Sequence, residues 1–228
     1  MKNSILIITL FILLSGCSEG EHNAKSSYDQ GVALAVTGKF QKAHKAFTKA
    51  LQDEGDKNAA QQSIKVVKRT LSKSLDEKAA VDFFKGIKYG NKGEYVMAFS
   101  YLSNAIDTAP DFATAYYERA IINGRLKLYD KAIADFSRSI ELNPQDGAAY
   151  NNRGLVRAAG LKEYDQAIAD FSKAIELDPK FAEAYDNRAI AYRMASDDKE
   201  KACADWKKAC ELARCNSYDR VKSNRYCN

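Results

Sequence analysis

The sequence predicts an all-α fold of stacked helical hairpins, and three observations predict it. The stretch YDKAIADFS at Tyr129–Ser137 returns as YDQAIADFS at Tyr164–Ser172. Pro110, Pro144 and Pro179 follow one another at intervals of 34 and 35 residues. Between them, small and large apolar residues recur at matching places. A period of this length marks an array in which each unit buries its apolar face on the next.

Residues 1–16 read as a targeting segment. Lys2 supplies the positive start, and Ile5 to Leu14 form an apolar run about half the ~20 residues of a spanning helix. The run ends in Leu14-Ser15-Gly16-Cys17, which resembles the lipobox of bacterial lipoproteins. The resemblance implies cleavage before Cys17, a diacylglycerol on its thiol and acylation of the new terminus. Several acyl chains on one residue anchor a protein stably without spanning the bilayer. An ordinary secretory signal with a chance cysteine is the alternative. Residues 17–25 are polar and read as a tether.

Five units then align. The small residue of each first helix is Gly31, Gly86, Ala120, Gly154 or Ala189. The aromatic after the turn is Phe40, Tyr95, Tyr129 or Tyr164, with Asp198 a degenerate fifth. On the second helix come Ala43, Ala98, Ala132, Ala167 and Ala202, then the anchors Phe47, Leu102, Phe136, Phe171 and Trp206. A further small position follows three residues on, at Ala50, Ala105, Ser139, Ala174 and Ala209. Alternating large and small groups let two antiparallel helices interlock. The units fall at 26–57, 79–112, 113–146, 147–181 and 182–215. Gly55 and Arg214 replace the closing proline in the first and last, and two units carry an extra residue, near Gly160 and Asp197. We expect the helix–helix turns to absorb both.

The interval 58–78 breaks the register. It predicts a single amphipathic helix with Ile64, Val67, Leu71 and Leu75 on its apolar face. Lys65, Lys68, Arg69 and Lys73 lie opposite; a solvated face is the simpler account, contact with anionic headgroups the other.

The repeat pattern resembles the tetratricopeptide repeat family, over Ala24 to Lys57 and Ala79 to about Cys215. The resemblance implies a right-handed α-solenoid whose first helices line a concave groove that binds protein or peptide. Carried over by position, the groove residues are Phe83, Ile87, Tyr117, Ile121, Asn151, Leu155, Asp186 and Ile190. Packing between helices is the alternative for Ile87, Ile121, Leu155 and Ile190. Phe83, Tyr117, Asn151 and Asp186 vary most and are expected to set specificity. Asn152 and Asn187 resemble the carboxylate clamp of some members, but its lysines are missing.

Arg119, Arg153 and Arg188 share one position, and the same units carry Asp135, Asp170 and Asp205 before the anchor. The other two units lack both members. Joint presence and absence within one chain predicts an intra-repeat ion pair, with the guanidinium holding the carboxylate bidentately.

Four cysteines remain near the end. An exported chain meets oxidising conditions, so disulfides are expected. Cys203 and Cys210 stand about 10 Å apart along one helix, too far for one bridge. A turn near Cys215 into a capping helix over 216–228 would bring Cys203 to Cys227, leaving Cys210 with Cys215 if the helix unwinds near Ala213. Tyr218 and Val221 would face inward on that cap, with Asp219, Arg220, Lys222 and Arg225 outward. A four-thiolate zinc site is the rival, but no Cys-x-x-Cys pair is present.

The formal net charge is +5, or +4 without Lys2, with acids and bases interspersed. No basic stripe suggests nucleic acid, and no nucleophile elbow, histidine dyad or phosphate loop suggests an enzyme or a cofactor. The expectation is a lipid-anchored adaptor or scaffold binding a protein or peptide in the bacterial cell envelope. Ser18, rather than aspartate, after Cys17 points to the outer membrane by resemblance to the sorting rule of enteric bacteria. A structural accessory of secretion, pilus or outer-membrane assembly machinery is the alternative, and glycan or peptidoglycan binding a further one. Oligomeric state leaves no trace in the sequence.

Overall fold

The structure, a computed structural model, describes residues 19–52, 57–196, 198–212, 214–223 and 226–227. Among them every regular element is helical. Cys17, Ser18, the rest of the targeting segment, Gly55, Asp197, Ala213 and Arg225 lie outside the described residues. The chain divides into two compact units, 1–84 and 85–228.

The first unit holds α1 (Glu19–Val36), α2 (Phe40–Ala50), α3 (Lys57–Leu71) and the start of α4 (Glu77–Asn91). Helix α1 already begins at Glu19, so 19–25 are helix and not the expected tether. The run Glu19-Gly20-Glu21-His22-Asn23-Ala24-Lys25 lacks proline, and nothing in it stops a helix from extending outward. Helices α1 and α2 form a hairpin closed on Phe47, which is fully buried. A Cβ at Gly31 would fall 2.5 Å from that ring, so only glycine lets the backbone lie so close. The ring meets Tyr28 at 5.5 Å and stacks on Phe84 at 5.7 Å.

Helix α3 packs on α2 with a different face from the one expected. Ala60, Ser63, Val66, Val67 and Thr70 are buried, whereas Leu71 is 45% exposed. Thr70 can turn inward because its hydroxyl bonds the Val66 carbonyl at 2.9 Å. That internal bond lets small residues, rather than the largest apolar ones, make the contact. Leu75 is buried, but beyond the helix end.

The second unit continues from Lys85 through α5 (Tyr95–Thr108), α6 (Ala113–Arg125), α7 (Tyr129–Leu142) and α8 (Gly147–Leu155). It ends with α9 (Tyr164–Leu177), α10 (Ala182–Ser196), α11 (Lys199–Glu211) and α12 (Asn216–Ser223). From α5 onward each helix packs on the next in sequence. This is the stacking of a solenoid, in which contacts stay local. Leu102, Phe136, Phe171 and Trp206 are buried, each at the anchor position. Pro110, Pro144 and Pro179 each follow the C-cap of α5, α7 or α9, where a missing N–H leaves no helical bond unmade.

The turns inside the hairpins share one geometry. Gly38, Gly93, Lys127 and Lys162 all have φ between 60° and 77°. In the first three turns the next N–H bonds a carbonyl five residues back: Lys39 to Leu34, Glu94 to Tyr89 and Leu128 to Asn123. That is the αL closure typical of helix ends. In the unit with the extra residue near Gly160, Glu163 instead reaches six back, to Arg157. The surplus is taken up before the turn, in a π-helical segment Val156–Leu161 that continues α8. The helix absorbs the insertion: the αL residue keeps its place at Lys162, and the closing bond spans one residue more. Asp198 likewise bonds Tyr192, six back. Asp198 is therefore not the degenerate aromatic. It is the N-cap of α11, its carboxylate accepting from the Lys201 N–H at 3.1 Å, and Lys199 holds the aromatic's place.

Candidate functional site

The repeated charges form a lattice within the second unit. Arg119 on α6 donates from Nε and Nη2 to both Asp135 oxygens, at 2.9 and 2.7 Å. Arg153 binds Asp170 the same way, at 3.1 and 2.7 Å, and Arg188 binds Asp205 at 2.7 and 2.8 Å. Hydrogen bonding to the carboxylate raises the Arg119 and Arg188 pKa values further above their ordinary range. Each guanidinium also lies near the tyrosine three residues earlier: Tyr116, Tyr150 and Tyr185, at 5.6, 5.6 and 5.7 Å.

One member of this lattice escapes a reading of the sequence. The third donor, Nη1, reaches back to the preceding hairpin: Arg119 to Ser103, Arg153 to Ser137 and Arg188 to Ser172, at 3.1, 2.9 and 3.0 Å. The signal is visible in retrospect, since each serine directly follows an anchor and precedes its arginine by 16 residues. The pairs therefore bind hairpin to hairpin as well as helix to helix. Asp170 carries a second arginine, with Arg157 Nη1 at 2.7 Å.

Half of the groove residues turn out to be structural. In the first unit Phe83 is 2% exposed and meets Phe84 edge-on at 5.2 Å. In the second unit the Tyr117 hydroxyl accepts from Asn152 Nδ2 at 2.7 Å, and its ring meets Phe136 at 5.6 Å. Burial foremost, then the nearby Glu118 charge, pushes its ionisation well above the ordinary phenol value. Asn151 Oδ1 accepts from Asn187 Nδ2 at 3.0 Å. Asp186 Oδ2 accepts from Arg214 Nε at 3.4 Å. Tyr117, Asn151 and Asp186 thus form an inter-hairpin row, in which Arg214 stands where a following repeat would supply its asparagine. Phe83, Asn151 and Asp186 are buried and cannot be the specificity positions the pattern suggested. Asn152 and Asn187 serve this row, not a clamp.

Ile87, Ile121, Leu155 and Ile190 are half-buried. Leu155 packs on the Ala167, Phe171 and Ala191 cluster, and Ile190 on the cluster of Ala189, Ala202, Trp206 and Cys227.

At the C-terminal end, Cys203 bonds Cys227 and Cys210 bonds Cys215. Helix α11 stops at Glu211, one residue past Cys210, which leaves Cys215 outside the helix to close the second bridge. Tyr218 and Tyr226 pack against the terminal cluster, with Trp206 edge-on to Tyr226 at 6.0 Å. Asp219 and Lys222 are exposed. No group among the described residues could hold a metal ion, and no described helix is long and apolar enough to cross a membrane.

Known proteins echo this architecture. A tetratricopeptide repeat profile matches residues 113–146, and a TPR repeat profile matches 161–196. The first TPR of Spaghetti (RPAP3), solved with the HSP90 peptide SRMEEVD, is 30% identical, with a TM-score of 0.50. The match covers 52% of this chain and 94% of that one. The Arabidopsis OM64 TPR domain is 26% identical over 51% of this chain and 96% of its own, with a TM-score of 0.50. A crystal structure of MamA, at 24% identity and a TM-score of 0.58, covers 82% of this chain and 96% of its own, a likeness of fold alone.

Proposed function

Because this chain belongs to the tetratricopeptide repeat family, a fold whose work is protein–protein interaction, we propose that it is a non-catalytic adaptor. In this proposal it captures a protein or peptide partner while tethered by lipid at Cys17 to the bacterial cell envelope, at the outer membrane. The observation that supports the binding mode is the division of labour along the first helices. Tyr117 and Asn151 are each bonded to the following hairpin, and Asp186 to Arg214 beyond α11. The neighbouring Ile87, Ile121, Leu155 and Ile190 keep part of their surface open. Apolar positions repeated at one-hairpin spacing suit an extended segment or an amphipathic helix. The RPAP3 domain, solved bound to a peptide, supplies the precedent.

Affinity capture from detergent-solubilised envelopes tests the adaptor. The comparison is wild type against Ile87→Glu with Ile121→Glu, after circular dichroism establishes that the variant is folded. Loss of a reproducible partner supports the surface; retention of every partner overturns it. The tether has its own test. Detergent-phase partitioning should move Cys17→Ser to the aqueous phase, and an unchanged distribution removes the lipid anchor.

A further inference from the structure

Each first helix of the second unit places a side chain three residues after its small residue: Tyr89, Asn123, Arg157 and Tyr192. Three of the four fill the space between their helix and the next. Tyr89 stacks on Tyr101 at 5.3 Å, with an interplanar angle of 9°. Arg157 reaches the Asp170 carboxylate at 2.7 Å. The Arg188 guanidinium and the Lys201 ammonium lie 5.8 and 5.4 Å from the centre of the Tyr192 ring.

Asn123 is the short member of the set. Its Nδ2 donates to Asp135 at 2.9 Å, and its buried Oδ1 accepts no hydrogen bond. A cavity of about 190 Å³ remains, lined by Phe99, Arg119, Asn123, Lys131, Ala134 and Asp135. Arg119 and Lys131 hold the same register positions as Arg188 and Lys201. The two cations that stand beside a tyrosine in the last hairpin are thus repeated here without one.

We propose that this cavity is a docking slot for an aromatic side chain, tyrosine foremost, presented by a protein partner. The molecule carries its own version of the occupant in Tyr192. A ring close to both a guanidinium and an ammonium gains cation–π attraction from each, and Phe99 adds an aromatic wall 5.7 Å from Arg119. Among the lining residues, Arg119 and Lys131 outnumber the single Asp135 carboxylate. That favours a tyrosine flanked by acidic residues over one flanked by lysines. The phenol hydroxyl is also a donor of the kind that Asn123 Oδ1 lacks.

For its partner the slot rests on the adaptor reading, but a small probe tests it separately. N-acetyl-tyrosinamide is titrated into full-length, isotope-labelled protein carrying Cys17→Ser, with backbone amides followed by NMR. Saturable shifts are expected at Phe99, Lys131 and Ala134, with a midpoint on the order of millimolar for so small a ligand. Asn123→Tyr supplies the missing ring internally and should weaken binding at least about tenfold; Lys131→Ala should weaken it about threefold. N-acetyl-leucinamide should give no saturable shift. The slot is overturned by an absent response, by an equal response to the leucine probe, or by undiminished binding in Asn123→Tyr. Should that variant lose its fold, an unchanged midpoint in Lys131→Ala overturns it instead. Probe binding alongside a failed capture experiment would sink the adaptor and leave the slot standing.

Discussion

Residues 1–84 close their hairpin on aromatic rings, whereas residues 85–228 add a charged lattice to the same ring packing. Phe47 against Gly31 and Phe171 against Gly154 are one solution used twice, with a Cβ excluded at 2.5 and 2.8 Å. Where the second unit has Asp135, Asp170 and Asp205, the first has Ala46. The knob against a small residue is therefore what makes the hairpin. The lattice is an addition that fixes one hairpin's register on the next. Polar groups suit that task, since each bidentate pair accepts one geometry while apolar contacts tolerate several.

Asp170→Ala should break this arrangement most severely, because it removes the carboxylate that Arg153 and Arg157 share in partly buried surroundings. Urea denaturation should show a loss of about 3–5 kcal/mol, and a loss below about 1 kcal/mol would mean the lattice is ornamental. Gly31→Ala and Gly154→Ala come next, at about 1–3 kcal/mol each from overpacking. Similar costs in thermal melts would establish the knob as common to both units. A neutral result at Gly31 alone would show that the first unit relaxes where the second cannot. Ser137→Ala removes only the bond from Arg153 to the preceding hairpin and should cost about 1 kcal/mol. The smallest change is expected from Arg188→Met with Asp205→Leu, within about 1 kcal/mol of wild type, since apolar pairs can replace buried ion pairs. If that double variant matches the loss of Asp205→Ala, the pair is an energetic necessity and the lattice is no mere addition to the ring packing.

Much of this was legible because it repeats. Anchors, small residues and arginine–aspartate partners recur in register, so one chain acts as its own alignment. Cysteine spacing along a helix left few ways to pair Cys203, Cys210, Cys215 and Cys227. What escaped depends on geometry that a single unit does not display. Ser137 looks like any exposed helical serine until the next hairpin's Arg153 is placed beside it. Leu71 outranks Thr70 in hydropathy, yet the threonine is buried because its hydroxyl is satisfied within its own helix. Phe83, Asn151 and Asp186 sit where the family places ligand contacts, but neighbours within the protein claim those side chains first. The extra residue near Gly160 was plain in the count. Its absorption by a π-helical segment was not, because length alone does not say which element yields.

The backward bond from each arginine to a serine gives the array a direction of growth. A hairpin copied between Leu142 and Gly147, bearing its own Tyr-x-x-Arg and Asp-Phe-Ser, would find a serine waiting upstream and an arginine waiting downstream. A copy added after Trp206 would meet Lys207 where that serine should be, and the chain there has turned instead to cysteines and a capping helix. Such a protein can lengthen by duplication from within, while its last hairpin lacks the serine that a further copy would need.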